Sequence, residues 1–393
     1  MKIALYVGGA LHYEVGLISG LIERGVQLEV IGGDDLANLP IVSNPRVGFR
    51  NLHGGSCPNS STWRKALRIV GVYLKLIWHA AVTESQVMHI QWSYKFAFLD
   101  RTFLNLWYKA LGKKIVFTAH NIDAAARDGN QSWANRVSLR FLYRIVDHII
   151  VHTNRMKDEL IQDFKISPAK ISIIPHGIMS AVPRSQLDRH DCRRKLGIND
   201  GRRVALFFGL ITPYKGLEYL VSAIARLNRA GIRENITLVI AGRVKECPDY
   251  WGRISRLIQA EGLEQDVLTE LRHIPDESIE VYFEAADVLV LPYRSIFQSG
   301  VLFLSFRFGL PVIATDVGSL REDIIDGQTG YICNVDDAED LARKIETYFE
   351  SDLFHQLAKK RAKIRDEFSA RYSWSRIGEL TRSLYEAILA GTR

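Results

Sequence analysis

The sequence predicts an α/β protein built from two doubly wound domains. Three observations carry that prediction. Short apolar runs suited to strands buried on both faces recur along the chain, with helical stretches between them. The first runs end in glycine pairs, as strand-to-helix turns do. The whole pattern then restarts after a polar, charge-rich stretch at 181–201, which sets domain limits of 1–180 and 181–374 within 393 residues.

The elements follow in order. Lys2–Val7 is apolar on both faces and ends in Gly8-Gly9; a helical stretch, His12–Arg24, is closed by Gly25, and Val26–Ile31 ends in Gly32-Gly33. Strand, glycine turn, helix and strand make a parallel βαβ unit. Further strands are expected at Val87–Ile90, Lys114–Thr118, His148–His152 and Ile171–Ile174, with helices including 62–82 and 132–145 between them. In the second half, strands are expected at Arg203–Phe208, Ile236–Ala241, Val267–Leu271, Val288–Leu291, Pro311–Ala314 and Gly330–Cys333. Helices at 216–230, 250–261, 300–308 and 337–350 fill the gaps. Open parallel sheets bind ligands beyond the carboxyl ends of their strands, so each domain is expected to offer its loops to a shared cleft.

Composition excludes several classes. Hydrophobic residues make up 47% and charged residues 24%, which rules out a disordered or collagen-like chain. Cys57, Cys192, Cys247 and Cys333 are widely spaced and form no C-x-x-C pair, so a zinc ribbon or disulfide scaffold is not expected. They suit the reduced thiols of a cytosolic protein. No apolar run approaches bilayer length, and the N-terminus lacks the form of a signal peptide.

The net charge of +7 is unevenly divided. Residues 1–180 hold 21 Lys and Arg against 13 Asp and Glu, whereas the rest hold 30 against 31. The surplus concentrates around Thr62–Trp78 and Arg101–Lys114, where Arg and Lys alternate with Trp, Tyr and Phe. Cations beside aromatics suit an anionic membrane surface. The same pattern is also met by aromatics packed on the sheet with the cations solvated. No recognition motif accompanies the charge, so nucleic acid is not an expected partner.

Chemistry concentrates in the second half. Gln298-Ser299-Gly300-Val301 opens a helix after the strand Val288–Leu291, and exposed amides at such a terminus suit a phosphate or diphosphate. Alone, it reads more simply as an N-cap by Ser299. Gly209, however, ends another strand and leads to Lys215-Gly216, and Gly242-Arg243 ends a third. Three phosphate-friendly loops at three strand ends of one sheet point to one anionic ligand.

At these positions the chain resembles the GT-B glycosyltransferases of family 4. The resemblance rests on Tyr214-Lys215-Gly216, Ala241-Gly242-Arg243, Ile274-Pro275-Asp276-Glu277 and Ala286–Pro292. It continues through Gln298–Val301, Phe308–Gly318 and Asp326-Gly327, and in the first half through Thr118-Ala119-His120-Asn121 and Ile174-Pro175-His176-Gly177. It implies two Rossmann-like domains facing a cleft, and transfer of a hexosyl group from a nucleotide-sugar with retention of configuration. It implies no metal and no cofactor besides that co-substrate; the chain has no Asp-x-Asp triplet.

The resemblance also assigns roles. Lys215 and the amides of Ser299, Gly300 and Val301 would hold the diphosphate, with Arg243 as a further cation and Gln298 in the same turn. Gly9, Gly209 and Gly242 would bring backbone close to the donor, and the segment at Ile274 would meet the base. Gly8, His12 and Trp92 fall on the acceptor side, where a glycine pair also reads as a plain tight turn. His120 would lie against the donor sugar or the acceptor, making it and Lys215 the catalytic pair; a lone strand-end histidine is otherwise a structural one. Tyr372-Ser373-Trp374 and helix 375–391 look like the family's closing helix, returning residues 375–393 to the first domain. The family's paired Glu positions hold Ile296 and Leu304, and Leu210 replaces its usual Arg, as in the branch with a Q-S-G-V turn. The expected activity is transfer to a saccharide or lipid-linked acceptor in surface polysaccharide or glycoconjugate assembly. The expected location is cytoplasmic, extending to the inner face of the membrane. A catalytically silent subunit and a UDP-sugar 2-epimerase of the same fold are the alternatives.

Overall fold

The structure, a computed structural model, describes residues 1–55, 61–123, 132–177, 184–185, 187–229, 236–245, 248–296 and 299–391. The chain divides into two compact units, Met1–Gly177 with Tyr372–Arg393, and Ile178–Arg371.

The first unit contains, among the described residues, strands β1 (Lys2–Tyr6), β2 (Gln27–Gly33), β3 (Val47–Gly54), β4 (Val87–Ile90), β5 (Lys114–Thr118), β6 (His148–Val151) and β7 (Ile171–Ile173). All pair in parallel, in the order β3-β2-β1-β4-β5-β6-β7. β3 is absent from the sequence-based expectation because only Val47 of its eight residues is buried, so it shows no apolar run.

Each face of this sheet carries a core, because alternate residues of β1 point opposite ways. Ile3 and Leu5 join Leu17, Ile18 and Leu21 of the helix Leu11–Glu23. Ala4 and Tyr6 join Leu76, Met88, Tyr108 and Leu142 on the other face. Trp374, Ile377 and Tyr385 of the helix Trp374–Ala390 belong to the first of these cores, so the C-terminal helix packs on the first unit. Its approach is set by two glycines. A Cβ at Gly20 would overlap the Trp374 carbonyl oxygen, and one at Gly378 would overlap that of Gly20. Buried His89 adds a polar tie, with Nδ1 2.5 Å from the Tyr385 hydroxyl and Nε2 2.7 Å from Thr118 Oγ1.

The second unit contains β8 (Arg203–Phe208), β9 (Ile236–Ala241), β10 (Val267–Glu270), β11 (Val288–Leu291), β12 (Val312–Thr315) and β13 (Gly330–Cys333). They are again parallel, in the order β10-β9-β8-β11-β12-β13. Before β8, the helix Arg189–Lys195 is anchored to the sheet rather than loose. Arg193 is buried and donates to Asp287 at 2.9 Å, and the same carboxylate accepts from the Val204 amide at 2.7 Å. Cys192 and Cys333 are buried free thiols, pushed up by burial to about 11 and about 12; Cys57 and Cys247 lie outside the described residues.

Candidate active site

Both sheets reverse strand order once, between β1 and β4 and between β8 and β11, and a doubly wound sheet opens a crevice at such a point. In the second unit that crevice is a cavity of about 590 Å³ formed by the segments that follow β8, β9, β10 and β11. Gly209, Lys215, Gly242, Arg243, Ile274, Ser299, Gly300 and Val301 all line it. The structure therefore brings together every donor-side residue proposed in this half except Gln298, which lies outside the described residues.

Lys215 is the centre of its electrostatics. It ends a 3₁₀ turn, Pro213–Lys215, and is only 6% exposed. Its Nζ donates to the Tyr293 hydroxyl at 2.9 Å, and among the described residues it has no carboxylate partner. A buried ammonium with only a phenol beside it is poorly compensated, and a diphosphate would compensate it. The helix Gly300–Arg307 starts at the same wall, and its first-turn amides need acceptors from outside the helix. Ser299 occupies the N-cap position, but its side chain makes no capping bond, contrary to the simpler expectation.

Other cavity residues were not singled out in the sequence. Arg272 and His273 reach the lining from the segment after β10, next to Ile274 and Asp276 of the expected segment, and Arg272 Nε is held by Glu270 at 2.6 Å. Their position just beyond a strand end was the available signal. Ile296, Leu304 and Leu210 also line the cavity, so its wall is apolar at the three positions that depart from the family pattern.

The first unit has its own crevice, a cavity of about 620 Å³ at the ends of β1 to β4. Gly8, Gly9 and Trp92 line it, together with Lys65, Arg68, Lys95 and His53. His12 is exposed and His120 lies behind Trp92; neither lines this cavity. The glycine pair works differently from expectation. The amides of Gly8, Gly9 and Ala10 all donate to Glu14 Oε1, at 2.7, 2.8 and 3.1 Å, so a side chain already occupies the turn. The space left by the missing side chain of Gly9 is filled by the Trp92 ring, 2.6 Å from where a Cβ would stand.

Trp92 stacks on His120 with centroids 4.9 Å apart and an interplanar angle of 8°. His120 belongs to a cluster with Tyr13, His152, His176 and Trp374. Burial lowers His152 and His89 to about 3, His53 and His148 to about 4, and His120 and His176 below their ordinary value. An unfolded histidine titrates near 6.5, so below that pH the unfolded chain takes up protons that the folded one refuses. This contribution is complete above pH 6.5 and is lost as pH falls. At pH 5 the fully buried His89 and His152 should each cost roughly 2 kcal/mol, and the urea midpoint should drop steeply between pH 6.5 and 5. A flat midpoint across that range would contradict this account. Among the described residues no group of three or more His, Cys, Asp or Glu is arranged to hold a metal ion.

The helix Thr62–Val82 is apolar on two sides. Val72, Tyr73, Leu76 and Ala80 are buried, whereas Trp63, Leu67, Val70, Leu74 and Trp78 face outward, the two tryptophans 62% and 70% exposed. Phe103 and Leu106 are exposed as well, and Trp107 is tied to the helix by an indole bond of 3.0 Å to the Ile77 carbonyl. Of the aromatics in the two basic stretches, the tyrosines pack inward and the tryptophans do not. That departs from the arrangement in which all of them cover the sheet. No helix among the described residues is long and apolar enough to cross a membrane.

Two parallel-sheet domains with an anion-suited cavity beyond the strand ends of the second define a glycosyltransferase of the GT-B type, and the family comparisons agree. The profile of the group 1 glycosyl transferases matches residues 188–367, and that of Glycosyltransferase Family 4 matches 7–181. The chain belongs to glycosyltransferase family 4. It is 27% identical over 400 residues to the D-inositol 3-phosphate glycosyltransferase of Pseudarthrobacter chlorophenolicus, covering 97% of this chain and 90% of that one. The enzyme of the same name from Corynebacterium diphtheriae is 25% identical over 279 residues, 69% of this chain and 64% of its own. Among solved structures, the fold is shared with Alr3699/HepE from Anabaena in complex with UDP (TM-score 0.75, 17% identity, 98% of this chain and 100% of that one). It is also shared with sucrose-phosphate synthase from Thermosynechococcus elongatus (TM-score 0.73, 20% identity, 100% of both).

Proposed function

We propose that the protein is a retaining, metal-independent hexosyltransferase using a nucleotide-sugar donor bound in the second-unit cavity. The observation that carries this is Lys215, buried beside a hydroxyl and facing the cavity shared with the Gly300–Arg307 helix start. As the bond between sugar and diphosphate breaks, negative charge grows on the leaving group and the sugar gains oxocarbenium character. A fixed ammonium and fixed amides stabilise that charge without having to reorganise. Arg243 and Arg272 add cations at the same wall. Relatives named for glycosyl transfer to inositol phosphate and a fold neighbour solved with UDP-glucose support a nucleotide-sugar donor. Incubation with UDP-, GDP- and ADP-sugars should raise the melting temperature with at least one of them and release its nucleotide. No shift with any would overturn the reading. The apolar wall at Ile296, Leu304 and Leu210 favours one second reading, a silent subunit, which would bind nucleotide without turnover.

The acceptor in this reading is a lipid-linked saccharide of surface polysaccharide or glycoconjugate assembly, met at the cytoplasmic face of the membrane. The outward apolar face of Thr62–Val82, with Arg64 and Lys75 exposed on the same helix, suits an anionic lipid surface. The double variant Leu67→Glu/Leu74→Glu removes two exposed apolar side chains, and its binding to vesicles containing anionic lipid should fall by about 100-fold or more. Sedimentation that is unchanged in the variant, or indifferent to anionic lipid, would remove the membrane from the proposal.

A further inference from the structure

The lining of the second-unit cavity divides by chemistry. A Cβ at Gly209 would stand 3.5 Å from Lys215 Nζ and 3.4 Å from Val301 Cγ2, so the buried ammonium and the start of the helix Gly300–Arg307 converge on that glycine. The wall around this charged spot is apolar. Leu210 follows Gly209 directly, Leu304 shares a helix face with Val301, and Ile296 comes just before the turn that holds Ser299. Groups able to accept a hydrogen bond are few: among the described side chains of the lining they are Asp276, Ser299 and His273. None of these belongs to the apolar wall. Asp276 opens the helix Asp276–Ala285 beside Ile274, Ser299 is buried at the helix start suited to the diphosphate, and His273 is exposed next to Arg272.

We propose that this cavity grips the donor's diphosphate by charge and its ribose by apolar contact with Leu210, Ile296 and Leu304, leaving the ribose hydroxyls unread. Deoxyribonucleoside diphosphate sugars are then donors as good as the ribonucleoside ones. This rests on the reading above in which the cavity holds a nucleotide-sugar. A site built to hydrogen-bond a hydroxyl rejects the analogue lacking it by about 10⁴- to 10⁵-fold, because its own polar group is left unpaired. An apolar wall has no group to strand. A hydroxyl laid on it gives up water without gaining a partner, so removing that hydroxyl costs nothing.

Calorimetric titration of the protein with UDP, GDP and ADP, each beside its 2′-deoxy and 3′-deoxy forms, reads this directly. For each base that binds, the deoxy forms should bind within about tenfold of the ribonucleotide, or more tightly. The matching ribo- and 2′-deoxyribonucleoside diphosphate sugars should agree in kcat/KM to the same margin. A larger preference for the ribonucleotide means that a side chain or main-chain group reads the ribose, and overturns the proposal. Ile296→Ala removes apolar contact without adding a polar group, and should weaken the ribo and deoxy forms alike by about 10-fold. Affinity that is unchanged in this variant, or lost for one form alone, overturns the contact with the wall. Failure of every nucleotide to bind defeats the donor reading itself, whereas binding with strong ribose discrimination defeats this inference alone.

Discussion

Replacing Lys215 by alanine should lower kcat by about 10²- to 10³-fold while leaving the protein folded. Its ammonium is the buried cation of the second-unit cavity, and a fixed charge facing the bond that breaks acts most on the transition state. Donor KM should change less than kcat, because ground-state and developing charges are both contacted but the second is larger. Lys215→Arg should not rescue fully, since a planar fork does not fit beside the Tyr293 hydroxyl as an ammonium does. Folding is spared because alanine also removes the cost of the poorly compensated ammonium, leaving Tyr293 with one lost bond. Steady-state kinetics with a thermal melt check both parts. A variant that turns over normally would refute the diphosphate role.

Replacing Gly378 by valine should destabilise the first unit by about 3 kcal/mol or more. The new side chain would meet the backbone of Gly20, and backbone cannot swing away as a flexible side chain can. The helix Trp374–Ala390 would have to lift from Leu11–Glu23, exposing Trp374, Ile377 and Tyr385 and breaking the Tyr385 to His89 bond. Gly71→Ala is the control: nothing lies within 4 Å of the Cβ position there, and it sits mid-helix in Thr62–Val82. It should be stabilising by about 0.5–1 kcal/mol. Urea midpoints of the two variants should therefore move in opposite directions, and similar shifts would contradict the packing account.

What was legible in the sequence follows from what each element buries. β4, β5, β8, β9, β11 and β13 fall where apolar runs predict them, because a strand covered on both faces can be recognised without knowing its neighbours. β3 shows no such run, since an edge strand with one buried residue is chemically close to a loop. The donor-side loops were legible because glycine turns and isolated cations at strand ends are local features. The pairing of Lys215 with Tyr293 was not: it depends on a turn and a strand end 78 residues apart meeting in space. His152 was visible as a letter, but its contacts with the Ile174 carbonyl and His120 were not, since only the β5-β6-β7 order brings them together. The helix Thr62–Val82 carries apolar residues on two faces, and composition alone could not say which one the sheet would take.

The Glu14 carboxylate on the amides of Gly8, Gly9 and Ala10 bears on competition from phosphate-bearing solutes. A strand-to-helix turn of this shape is a general anion receptor, and nucleotides, sugar phosphates and inorganic phosphate would all be candidates for it. A tethered carboxylate competes at an effective concentration that free metabolites do not match. The first unit thus keeps the backbone turn that shapes its crevice while the amides of that turn are closed to stray anions. In the proposed reaction, released nucleotide would be held by the second-unit cavity that also takes the donor, so inhibition by that product should be simple competition with the donor.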